Sequence, residues 1–441
     1  VRRATRRFAL LAALGGLAAL AAPSYGATRP TTTKPAFTTY HQPGEPRDEG
    51  EPSIGVDWKT GAALYQSGLE TLKVTFVKNG ATWQPVTPAA DVVSLDPMLV
   101  TDGATGRTFV SQLAAGCSIL SWSDDDGRTW QPSVGCGPGG GVDHQSIGVG
   151  PYPAGVTHLG AYPNAVYYCS QAIVDASCAR SDDGGTTFGP AVPVYALTQC
   201  GGLHGQVRVG PDGTVYLPNA GCGNHASVVV STDGGLTWTV RTVDGSSSPG
   251  ESDPAVDVGA RGTVYLGWQD GDQSEAHPYV AVSTNQGKTW SRSYDVGAAY
   301  GIKNVQFPAM VAGDDGRAAF AFLGSTSDGN DQAAAFAGTW RLYVATTYDA
   351  GKHWTTVDAT PNELVQRGCI WLGGGQNNPC RNLLDFMGIT VDREGRVLVG
   401  WADGCPAACE RSAKVNPHSA TPVISRQSAG RGLFAAYDGR L

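Results

Sequence analysis

The stretch "VVVSTDGGLTW", Val228 to Trp238, decides the fold. A run of β-branched residues ends in the pattern Ser231-x-Asp233-x-Gly235-x-Thr237-Trp238. The first half favours a strand. The second half has the chemistry of a turn. A short carboxylate can accept bonds from nearby backbone N–H groups, and glycine permits the backbone geometry. The pattern recurs as "SDDDGRTW" ending at Trp130, "SDDGGTTF" at Phe188, "STNQGKTW" at Trp290 and "TYDAGKHW" at Trp354. A degenerate copy, "FVKNGATW", ends at Trp83. Neighbouring copies are 47 to 64 residues apart, a period that signals propellers and arrays. A side chain repeated in every unit serves the units, because catalysis needs one asymmetric constellation.

A second repeat lies between the boxes. "PSIGVDWKTGAALYQSG", "PMLVTDGATGRTFVSQL", "QSIGVGPYP…AVYYCSQ", "GQVRVGPDGTVYLPNAG", "PAVDVGARGTVYLGWQDG", "PAMVAGDDGRAAFAFLGS" and "MGITVDREGRVLVGWADG" each read as strand, Gly/Asp turn, strand. The last is followed by "GLFAAYDGRL", which stops inside a box. The seventh unit therefore lacks a fourth strand, and "AFTTYHQ" near the N-terminus can supply it. Closure of that kind removes sheet edges. The expectation is an all-β, seven-bladed propeller with strands A to D from the axis outward. A six-bladed closure is the alternative if one hairpin is decorative.

Composition agrees. The 441 residues include 60 Gly, 27 Pro and 11 Trp, with 3 Met and 16% charged residues. Arg2, Arg3, Arg6 and Arg7 precede the apolar run "FALLAALGGLAALAA", so residues 1–27 read as a signal peptide. Residues 28–39 read as a Thr/Pro-rich tether and 40–441 as one propeller domain. A secreted or envelope-associated monomer follows, with no membrane insertion after signal removal. The formal charge of -8 falls to about -12 without the leader, which speaks against nucleic acid as a partner. Ten cysteines in an exported chain imply disulfides. Sequential pairing would give five short loops, although spacing alone does not fix connectivity.

The boxes resemble the Asp-box (BNR) repeats of the sialidase, or neuraminidase, superfamily. The resemblance implies a propeller and an extracellular glycan or glycoconjugate as partner. It also implies an Arg-Ile-Pro motif, an arginine triad, a Tyr/Glu nucleophile pair and an Asp acid/base. Arg-Ile-Pro is absent here, and Arg47, Arg367, Arg381, Arg411 and Arg426 are the arginines expected near the site.

Strand polarity places the boxes at one end of the propeller and the starts of A and ends of B at the other. The A starts carry Glu51, Asp96, Asp143 with His144, His204, Asp253 and Asp385. The B ends carry Gln112, Ser170 with Gln171, Asn219, Trp268 with Asp270 and Asp272, and Trp401 with Asp403. All ten cysteines map to that same end. Carboxylates, imidazoles and aromatics converging on one mouth form the expected site. For hydrolysis the candidate catalytic acids are Asp96, Asp253 and Asp270. Glu51, Asp143, His144, His204, Trp268, Trp371, Asp385, Trp401 and Asp403 are the candidate substrate contacts. Binding of a glycan or protein without chemistry is one alternative. Uronate elimination by His144 or His204 with Tyr168 is another. No cofactor is expected, with Ca2+ in "DGDQSE" or "SDGNDQ" an open possibility.

Overall fold

The computed structural model describes residues 1, 34–44, 49–91, 95–114, 117–134, 143–171, 175–196, 198–246, 249–373, 378–406, 409 and 419–440. These fold into seven antiparallel sheets arranged as the blades of a propeller. Their innermost strands are Ser53–Val56, Leu95–Thr101, Asp143–Gly150, Cys200–His204 with Arg208–Val209, Ala255–Val258, Asn304–Ala312 and Gly388–Val391. Six blades run A-B-C-D in chain order. The seventh takes its outer strand from the other end of the chain: Ala36–His41 pairs antiparallel with Thr421–Ala429, Phe37 opposite Gln427 and His41 opposite Val423. This strand begins at Ala36, so the propeller takes in the last residues of the stretch read as a tether. The leader lies outside the described residues.

Each box makes the C–D turn it was expected to make. Asp233 Oδ1 accepts from the backbone N–H of Leu236 and Thr237, at 3.1 and 3.0 Å. Ser231 Oγ accepts from the N–H of Gly235 at 2.9 Å. Asp125, Asp183, Asn285 and Asp349 repeat the arrangement. Gly235 has φ 88°, and a Cβ there would sit 3.2 Å from the Tyr167 ring of the preceding blade. The box tryptophan is half-buried, less than the full burial its size suggests. One of them also acts as a donor: Trp130 Nε1 donates to the Val86 carbonyl of the previous blade at 2.6 Å.

The core lies between blades, because every sheet is packed on both faces. Strand B of blade 5, Val264–Gly271, is buried at every position but its last. Near the axis the A strands are stitched together by serines. Ser53 Oγ accepts from Leu99 N–H, Ser146 Oγ from Val207 N–H, and Ser252 Oγ from Phe307 N–H, at 2.6 to 2.9 Å. Outer strands such as Gln131–Pro132 and Val192–Pro193 are two residues long, and each ends in a proline that cannot donate to a further strand.

Candidate functional site

The A strands begin at the end of the channel opposite the boxes, and their first residues meet there. Glu51, Asp96 and His144 occupy equivalent places in blades 1, 2 and 3. All three adopt left-handed backbone, with φ 54°, 48° and 47°. For a residue with a Cβ this costs about 1–3 kcal/mol each, and such outliers cluster at functional sites. Their burial is nearly complete, at 2%, 8% and 8% exposure.

His144 organises the mouth. Its ring Nδ1 lies 2.9 Å from Asp253 Oδ2. Its backbone N–H donates to Asp96 Oδ2 at 3.1 Å and to Asp143 Oδ1 at 3.0 Å. Burial works against a charged imidazole, but Asp253, Asp143 and Asp96 outweigh it and hold the His144 pKa well above its ordinary value. His144 is therefore an imidazolium at neutral pH, donating to the Asp253 carboxylate.

The acids beside it are displaced the other way. Burial, reinforced by a hydrogen bond with Asp143, pushes Asp96 up to about 7. Burial and the neighbouring charges of Asp96 and Asp385 raise Glu51 well above the usual range. Glu51, Asp96 and Asp385 each place a carboxylate oxygen within 4.8 Å of the others, a spacing that a hard cation can bridge. Arg381 offsets part of their charge: its two terminal nitrogens grip Asp385 at 2.6 and 2.7 Å. The acidic loops considered for Ca2+ carry local contacts. Asp272 caps Ser274 N–H, Asn330 caps Gln332 N–H, and Asp328 pairs with Lys303.

His204 sits below His144. Its Nδ1 is 2.9 Å from the Gly205 carbonyl, its Nε2 is buried with no hydrogen-bond partner, and burial brings its pKa down to about 4. It is neutral where His144 is charged.

Sequence reasoning thus placed Glu51, Asp96, Asp143, His144, His204, Asp253 and Asp385 together, and the structure joins all but His204 in one polar network at the mouth. The B-strand residues are spent differently. Trp268 and Trp401 are buried, at 0% and 1% exposure, and offer no open ring face. Trp268 Nε1 donates to Asp270 Oδ2 at 2.9 Å, and Asp403 Oδ1 caps Cys405 N–H at 2.8 Å. Trp371 is half-buried against the core of blades 6 and 7. Tyr168 is fully buried, and its hydroxyl donates to Ser118. Arg381 is the contact that sequence reasoning did not assign to Asp385. Its signal was position: it follows Cys380 and precedes Asp385 by four residues.

Disulfides frame this end. Cys169–Cys178, Cys200–Cys222, Cys369–Cys380 and Cys405–Cys409 are formed, as sequential pairing would have it. The remaining pairing, Cys117 with Cys136, and the arginines Arg47 and Arg411 lie outside the described side chains.

No family model and no curated protein matches the chain. Solved structures do. A protein of unknown function from Dyadobacter fermentans is 13% identical, with 89% of this chain and 98% of that one covered and a TM-score of 0.46. The Hadza microbial sialidase Hz136 is 16% identical, with 86% of this chain covered and a TM-score of 0.39; the match spans 65% of that sialidase's length. The fucose-binding lectin of Aleuria aurantia, solved with Fucα1-6GlcNAc, is 14% identical, with 73% and 98% covered and a TM-score of 0.44.

Proposed function

We propose that this propeller hydrolyses glycosidic bonds of extracellular glycans at the channel mouth. The observation that carries the reading is the hydrogen-bonded Asp96–Asp143 pair beside the His144–Asp253 ion pair. Glycoside hydrolysis by paired carboxyl groups needs one acid that still holds its proton near neutral pH and one ionised carboxylate facing the developing positive charge. Asp96, lifted to about 7, supplies the first, with the half-exposed Asp143 passing the proton outward. Asp253, paired with His144 at 2.9 Å, supplies the second. Asp385, fixed by Arg381, and the other mouth residues orient the sugar.

The setting agrees with an extracellular substrate. Four disulfides among the described residues suit an oxidising compartment. Among those residues, no helix is long and apolar enough to cross a membrane.

The test is incubation of the purified mature protein with sialosides, plant and bacterial glycans and uronate polymers. New reducing ends without unsaturation support the reading. Binding without product would assign the mouth to glycan recognition alone. An unsaturated uronate product would assign it to elimination.

A further inference from the structure

The chain has three methionines, Met98, Met310 and Met387. They come from blades 2, 6 and 7, far apart in sequence, yet all three line one cavity just below the mouth. They are buried, at 2%, 1% and 3% exposure. The cavity measures about 30 Å³, room for a water molecule or a single ion. His144, His204 and Asp253 share its wall. Thioether side chains are flexible enough to fill irregular gaps, yet here they leave the space open.

His204 is the second, independent sign. Its Nδ1 faces the Gly205 carbonyl, which can only accept, so Nδ1 carries the hydrogen. The lone pair is then on Nε2, which is buried and without a partner. An unsatisfied buried imidazole nitrogen is costly unless something binds it. A backbone carbonyl on one ring nitrogen with the other left for a ligand is the arrangement of metal-binding histidines.

We propose that Met98, Met310, Met387 and His204 form a binding site for a soft monovalent metal, Cu(I), at the centre of the propeller. Thioether sulfur and neutral imidazole are ligands of this class, whereas Mg2+ and Ca2+ require oxygen. Nothing in the proposal depends on the hydrolytic reading of the mouth.

The test uses the full mature chain, loaded anaerobically with Cu(I) and challenged with a Cu(I)-specific chelator. The wild type should retain one equivalent, with sulfur and imidazole scattering in its X-ray absorption spectrum. Met98→Leu, Met310→Leu and Met387→Leu keep side-chain volume and should fold, verified by circular dichroism. Each should weaken retention by about 10-fold or more. The proposal is overturned if folded wild type loses its copper to the chelator, if sulfur scattering is absent, or if folded variants retain Cu(I) like the wild type. Glycoside turnover, measured on metal-free protein, reports on the mouth separately.

Discussion

His144 and Asp253 meet across the channel mouth, Nδ1 to Oδ2 2.9 Å, although they belong to blades 3 and 5 and the whole of blade 4 lies between them in sequence. The pair ties two non-adjacent blades together at the mouth. With side-chain exposures of 7% and 15%, neither group can fall back on water if the other is removed.

His144→Gln should therefore destabilise the fold by about 3–5 kcal/mol, the cost of leaving a buried charge unpaired. Adding Asp253→Asn should recover part of that loss. Denaturant unfolding of the two single variants and the double variant gives the coupling. Additive losses would mean that the ion pair contributes nothing.

Asp96 gives a pH signature. Its pKa rises from 3.8 to about 7 on folding, so the native state binds that proton more tightly than the unfolded chain. The resulting stability is fully present below pH 3.8 and is lost as pH rises through about 7. Asp91 and Asp331, also buried and lifted to about 7, act in the same direction. Asp96→Asn should flatten the decline in melting temperature across this interval without abolishing it. An unchanged slope would show that Asp96 titrates normally.

The boxes should matter for stability and not for chemistry. Asp233→Ala removes the acceptor for two backbone N–H groups at the far end of the propeller. The expected loss is about 1–3 kcal/mol in denaturant unfolding, with turnover per folded molecule unchanged. A fall in turnover without a fall in stability would place function at the wrong end.

Much of this was legible in the sequence because a propeller repeats. One register position per blade marks the mouth, so Asp96, His144 and Asp253 could be aligned from their hairpins alone. The missing strand of the seventh unit showed up as an incomplete box at one end and a spare β-rich segment at the other. Trp268 and Trp401 were not legible, for a physical reason. Strands buried on both faces lose the inside–outside alternation that tells a core ring from an exposed one. Arg381 was expected near the site, but its pairing with Asp385 was hidden because its place depends on the Cys369–Cys380 loop, where Trp371 N–H donates to the Cys380 carbonyl at 2.9 Å.

That loop yields a further expectation. Replacing both cysteines, Cys369→Ser with Cys380→Ser, frees the segment that aims Arg381 at Asp385. Stability should fall by about 2–4 kcal/mol. If Asp385, held by Arg381, orients the sugar as proposed, KM should rise more than kcat falls. Equal changes in both constants, or none, would contradict the positioning role.

Reducing-end release from the glycan panel by wild type and Asp96→Asn, compared side by side, tests the central claim most directly. Hydrolysis by the wild type, with loss of about 100-fold or more in the variant and a decline in wild-type rate above about pH 7, is the predicted result. No product from any glycan, or equal turnover by the two proteins, would contradict it.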